Sequence, residues 1–197
     1  MYICLEGIDG GGKSTQIKFL SQWLVDSGFK VEEVVEPTDS EIGLLIRKIL
    51  TSPIATSSNT QRILGLLFAA DRLTLMEKIA KFEEEKKIII SDRSFYSSLA
   101  YQNPQKWINE INKFAKKPDL VLLLDLDVDS AIKRCSREDE FEKKSFLADV
   151  RENYLKLAES DKTTFKIINA NNGPNKVKSD IKKAVAPLFG ICIDGIE

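Results

Sequence analysis

The chain has 197 residues, 29 of them basic and 30 acidic, and contains no histidine. A formal charge of −1 leaves no global field to gather nucleic acid or an anionic membrane, so any anion must be held by a local arrangement. The missing histidine excludes Ser-His triads, histidine proton transfer and histidine-ligated zinc, and leaves chemistry to carboxylates, cations and geometry. The length suits one α/β domain with a substantial core. Cysteines at 4, 135 and 192 are odd in number and form no C-x-x-C pattern, which fits a reducing cytoplasm. No apolar run nears the ~20 residues of a membrane span and no charged leader precedes the first strand, so a cytoplasmic protein without membrane or nucleic-acid partners is expected.

Tyr2-Ile3-Cys4-Leu5 reads as a strand, and Gly7-Ile8-Asp9-Gly10-Gly11-Gly12-Lys13-Ser14-Thr15 after it fits G-x-x-x-x-G-K-[ST]. Ile17, Leu20 and Leu24 then recur at helical spacing, which supplies the strand-turn-helix context the motif needs. Gly7, Gly10, Gly11 and Gly12 let the backbone turn with N–H groups inward, and the helix start adds a positive dipole end, so the loop can wrap a phosphate. Lys13 is expected to reach the outer phosphates of a nucleoside triphosphate, and Ser14 to offer its hydroxyl to the accompanying magnesium.

The first helix should run from Lys13 to Ser27 and stop at Gly28. A second strand, Lys30 to Val35, leads through a turn at 36–40 to a helix carrying Ile42, Leu45, Ile46, Ile49 and Leu50 that ends before Pro53. Beyond a polar loop, a long helix from Thr60 to Glu84 points Ile63, Leu64, Leu67, Ala70, Leu75 and Ile79 inward. Lys87 to Ser91 reads as a strand buried on both faces and ends at Asp92. Helical segments at Tyr96 to Tyr101 and Pro104 to Ala115 precede another buried strand, Leu120 to Leu126. A helix from about Asp129 to Arg134 runs into a stretch too polar for the core, read as a lid over about 135–145. Phe146, Val150, Tyr154 and Leu157 mark the inner face of a helix from Ser145 to Glu159. A last strand, Phe165 to Asn169, and a helix from Pro174 with Val177, Ile181, Val185 and Leu188 inward close the chain. Strands alternating with helices imply a parallel sheet with right-handed crossovers and ligands at its carboxyl edge.

Asp92-Arg93 stands at that edge, where the carboxylate can help hold magnesium through water and the guanidinium can face a phosphate. Phe68 and Arg72 share a helix face four residues apart. Together they could stack on a base and bond its edge, or be a core aromatic and a surface cation; spacing alone leaves both readings open.

LEGIDGGGKST at 5–15, Glu36-Pro37, LLFAADR at 66–72, DRSFYSSLAYQ at 92–102, Pro118-Asp119-Leu120 and a polar stretch ending near Phe141-Glu142 together resemble the thymidylate kinases, of the nucleoside monophosphate kinase group. The resemblance covers nearly the whole chain. It implies a single three-layer P-loop kinase domain over 1–197, with a five-stranded parallel sheet, helices on both faces and a short polar lid. It further implies transfer of the γ-phosphoryl of ATP to thymidylate (dTMP), with magnesium, by a homodimer. By the same resemblance Phe68 stacks on thymine, Arg72 bonds its carbonyl edge, Ser98 and Gln102 lie near the base, and Tyr101 crowds the sugar's 2′ position. Arg93 grips the monophosphate, Asp9 contacts the 3′-hydroxyl or a magnesium-bound water, and Glu36 and Arg47 belong to the acceptor side. Arg134 lies against adenine. Val35 stands where an arginine often precedes Glu-Pro, and Ser94 replaces the more usual aromatic. Position 10 is glycine where one subgroup carries an arginine, so charge for the transferring group must come from elsewhere, and Arg137 in the lid is the candidate. A kinase for another nucleoside monophosphate or a deoxynucleoside would share the loop and lid. A P-loop switch or ATPase would share the loop alone, but Asn169-Ala170-Asn171-Asn172 does not supply a guanine signature and no L-S-G-G-Q segment is present.

Overall fold

A computed structural model describes residues 1–135 and 140–192, so Arg137 and the centre of the expected lid lie outside the described residues. Strand β1 (Tyr2–Glu6) runs through the phosphate loop into helix α1 (Lys13–Asp26), followed by β2 (Val31–Val35), α2 (Glu41–Leu50) and the long α3 (Ser58–Glu84). Then come β3 (Ile88–Asp92), α4 (Phe95–Tyr101), α5 (Gln105–Ile111) and β4 (Leu120–Asp125). The chain continues with α6 (Val128–Cys135), α7 (Glu140–Ser160), β5 (Phe165–Asn169) and α8 (Pro174–Val185), closed by a 3₁₀ turn at Ala186–Phe189.

The five strands form one parallel sheet in the order β2-β3-β1-β4-β5. Burial explains the composition of each strand. The Tyr2–Leu5 run of β1 and the Leu120–Leu124 run of β4 are buried throughout and read as unbroken apolar runs, whereas the edge strands β2 and β5 mix polar residues in because part of each faces water. Helices α1 and α8 pack on one face, and α3 and α7 on the other. From central β1 the chain first crosses to edge strand β2, returns to β3 beside β1 and later passes to β4 on the other side, which opens a crevice at the carboxyl ends of β3, β1 and β4. No helix among the described residues is long and apolar enough to cross a membrane.

The differences from expectation have local causes. α7 begins at Glu140 rather than Ser145. α5 stops at Ile111, short of Ala115, where the Asn112 side-chain amide donates to the Ile108 carbonyl at 2.8 Å and ends the helical ladder. Ile63, Phe146 and Leu188, expected to face inward, are exposed, as are Leu45 and Leu50 of the helically spaced apolar set on α2. Helical spacing assigns a residue to a stripe, but it does not say how much of that stripe another element covers.

Candidate active site

The phosphate loop is shaped by the end of the neighbouring strand. Gly7 has φ +135°, and a Cβ there would stand 2.5 Å from the Leu124 carbonyl oxygen of β4, so the chain passes only as glycine. Gly10 and Gly12, with φ of 83° and 85°, complete the turn into α1. Lys13 is buried beneath the loop, its Nζ donating to the carbonyls of Gly7 at 3.0 Å and Ile8 at 3.1 Å, and 4.0 Å from Asp9. Burial, and next the charge of Arg93, pushes this ammonium down to about 8. Lys13, Ser14, Thr15, Gly10, Gly12 and Asp9 line a cavity of about 300 Å³, with Asp92 and Arg93 closing its far side. Arg134 reaches over from α6 and donates to the Gly10 carbonyl at 3.1 Å and the Ala170 carbonyl at 3.4 Å.

Ser14 Oγ donates to Asp92 Oδ2 at 2.9 Å on the floor of this cavity. Among the described residues no cluster of three or more acidic, histidine or cysteine side chains could hold a metal by itself. Two protein oxygens suit magnesium, which keeps several waters and takes its other ligands from phosphates.

Arg93 lines both this cavity and a second one beside it. Its backbone sits at φ 78°, uncommon for a residue with a side chain, and the surroundings hold it there. The support is Glu6, fully buried at the end of β1. Its Oε1 accepts from the Ser94 amide and hydroxyl, both at 2.8 Å, and its Oε2 from Ser97 Oγ at 2.7 Å and Tyr154 Oη at 2.8 Å. Ser97 Oγ in turn accepts from Arg93 Nη1 at 3.0 Å, while Nη2 pairs with Asp9. Burial pushes the Tyr154 hydroxyl well above the usual phenol range, so it stays protonated and donates.

The second cavity, about 460 Å³, is floored by Phe68 and Arg72 of α3 and walled by Ser98, Tyr101 and Gln102. Arg72 is no surface cation, being only 2% exposed. Its Nε donates to Glu36 Oε2 at 2.8 Å, its Nη2 pairs with the same oxygen at 2.6 Å and lies 3.3 Å from Ser98 Oγ, and its Nη1 donates to Asn112 Oδ1. Despite that ion pair, burial raises the Glu36 carboxyl above its ordinary value. The Tyr101 ring lies 5.3 Å from the Arg93 guanidinium, and burial pushes its hydroxyl up to about 12. Phe146, which helical spacing had placed in the core, instead lines the cavity mouth with its ring 6.0 Å from that of Tyr101.

Of the residues expected at the site, Asp9, Gly10, Gly12, Lys13, Ser14, Thr15, Asp92 and Arg93 line the first cavity and Glu36, Phe68, Arg72, Ser98, Tyr101 and Gln102 the second, while Gly7 and Gly11 lie behind the loop against Leu124. Arg47 does not join them. Its guanidinium donates to the carbonyls of Pro37 and Thr38, both at 2.5 Å, and lines neither cavity, so it braces the turn before α2. Sequence reasoning passed over Glu6, Ser97, Asn112 and Tyr154. A single acidic residue ending an otherwise apolar strand was the available signal for Glu6, because burial of such a charge requires several donors.

The thymidylate kinase family profile matches residues 5–181. Over 196 residues, and the full length of both chains, the sequence is 60% identical to the probable thymidylate kinase of Methanobrevibacter smithii. That of Methanothermobacter thermautotrophicus is 53% identical, again over both full lengths. That of Thermococcus kodakarensis is 44% identical, covering 96% of this chain and 99% of the relative. The chain belongs to the thymidylate kinase family. Thymidylate kinases are nucleotide phosphotransferases, a chemistry that needs donor and acceptor sites side by side; the two cavities meet at Arg93 and Asp9, which line both.

Proposed function

We propose that the protein transfers the γ-phosphoryl group of ATP to thymidylate, giving ADP and dTDP, with magnesium. The observation that carries this reading is the junction of a phosphate loop with a base-sized cavity through one arginine. ATP lies with its phosphates in the loop and dTMP in the second cavity, its base on Phe68 and against Arg72. Arg93 turns from Asp9 to the dTMP phosphate, so the acceptor oxygen sits in line with the γ-phosphorus. That oxygen forms the new P–O bond, the bond to the β–γ bridging oxygen breaks, and ADP leaves with the electron pair.

The catalysis is positional. Lys13 and the inward amides of the loop neutralise charge on the transferring group, and no strong base is required. Ser14 and Asp92 would hold magnesium, which would supply positive charge to the phosphates. Arg134 lies toward the adenine, Tyr101 crowds the 2′ position, and Asp9, freed by Arg93, meets the sugar. Arg137, outside the described residues, brings a further cation in a lid over about 135–145. The whole chain acts as one P-loop kinase domain in the cytoplasm, and two copies pair through helix faces, where Leu44 of α2 and Leu66 and Leu73 of α3 are exposed and apolar.

A coupled assay of ADP release, with ATP, magnesium and each nucleoside monophosphate in turn, tests the reading. Thymidylate should give the highest kcat/KM. A higher value for another monophosphate overturns the acceptor, and turnover independent of any monophosphate returns the loop to an ATPase or switch.

A further inference from the structure

The Arg72 guanidinium carries five N–H donors, and four are committed within the protein. Nε and one Nη2 hydrogen go to Glu36, the other Nη2 hydrogen faces Ser98, and one Nη1 hydrogen goes to Asn112. One donor, on Nη1, remains for the cavity that Arg72 lines. Both Glu36 contacts converge on a single oxygen, Oε2, and a single acceptor acts as a pivot around which the planar fork can tilt. Ser98 lies at the long distance of 3.3 Å, and the firm second fixed point is Asn112, on the other arm of the fork.

Asn112 is itself held. It is buried, and its Nδ2 donates to the Ile108 carbonyl at 2.8 Å, so the amide presents its oxygen to Arg72. A flipped amide would set two donors against each other. The placement of α5 is fixed in turn by α3, because a Cβ at Gly65 would come within 3.0 Å of the Trp107 ring and 3.2 Å of Ile108 Cδ1. Gly65 and Arg72 are two helical turns apart on one face, so seating α5 on Gly65 brings the end of α5 to the Arg72 fork.

We propose that Asn112 is a positioning residue for acceptor selection: it clamps Nη1 of Arg72 so that the one remaining hydrogen meets a carbonyl on the acceptor's base, favouring an oxo-pyrimidine over an amino-pyrimidine. An amino group in that position brings donor against donor and leaves a buried N–H unpaired, the kind of mismatch a polar site rejects strongly. The inference rests on the acceptor reading above.

The test is steady-state kinetics at saturating ATP with dTMP and dCMP as acceptors, for the wild type, Asn112→Leu and Asn112→Asp. Asn112→Leu removes the acceptor while keeping the branched shape of the side chain. Its KM for dTMP should rise about tenfold with kcat within about twofold, and its preference for dTMP over dCMP in kcat/KM should fall about tenfold. Asn112→Asp, which keeps an oxygen facing Arg72, should hold that preference within about threefold of the wild type. Asn112→Ser, too short to reach Arg72, carries the same test if Asn112→Leu does not fold. A folded variant without the Asn112 acceptor that keeps the dTMP to dCMP ratio, or that loses kcat at unchanged KM, overturns the inference while leaving the function intact. A wild type that does not accept dTMP defeats the proposed function before any variant is made, and this inference with it.

Discussion

The phosphate loop and the second cavity, proposed above to take the acceptor, share the carboxyl edge of one sheet, yet they are built by opposite means. The loop is consecutive residues, 7–15, presenting backbone groups and one buried lysine. The cavity collects side chains from the turn at Glu36, from α3, α4 and α7, and from the start of the phosphate loop. A contiguous backbone device depends on its glycines and on the strand beside it. A cavity of dispersed side chains depends on every element that delivers one, so residues that touch no substrate decide how it performs. Arg93, which belongs to both regions, is held by a carboxylate on β1 and a hydroxyl on α7.

Four measurements would break or sharpen this contrast. On the loop side, Lys13→Ala should lower kcat about a hundredfold or more in a protein whose circular dichroism is unchanged, since charge in the transition state loses its fixed partner. Normal turnover would remove the loop from the chemistry. At the shared wall, Glu6→Gln replaces one accepting oxygen with a donor among four donors. The KM for dTMP should rise about tenfold or more, with a stability loss of about 1–3 kcal/mol in chemical denaturation. An unchanged KM would mean that the Arg93 backbone orients the guanidinium without the carboxylate.

The third measurement is pH dependence, again on the loop. Lys13 in the free protein is pushed down to about 8, and a bound triphosphate favours the ammonium and raises that value. ATP affinity is therefore fully present below about 8 and is lost as pH rises above it, by about tenfold or less at pH 9. Equal dissociation constants at pH 7 and 9 would place Lys13 away from the phosphates. The smallest effect is expected in the cavity, where Tyr101→Ala should narrow the preference for a deoxyribose over a ribose acceptor by about threefold or more. A ratio that does not move would make Tyr101 a packing aromatic only.

The same contrast explains what was legible in the sequence. The loop, its strand and its helix follow each other in order, so motif and context were read together, and the alternation of strands and helices carried the parallel sheet. Phe68 and Arg72 lay open between two readings because helical spacing says which residues share a face and not what that face meets. Burial of Arg72 against Glu36, 36 positions away in the chain, removes the surface-cation reading. Tyr154 and Glu6 bond across 148 positions, and no local pattern links them. Arg47 stays outside both cavities for a related reason, since an arginine near an expected phosphate site meets its own turn's carbonyls just as well.

The Leu124 carbonyl beneath Gly7 has a thermodynamic side. Because the end of β4 moulds the loop, the anion seat exists before any nucleotide arrives, and donor binding orders little backbone. The entropic cost of taking up ATP then falls on the ligand more than on the protein. It also makes β4, which lies behind the loop, a place where a change in strand position alters donor affinity without altering any residue that touches the phosphates.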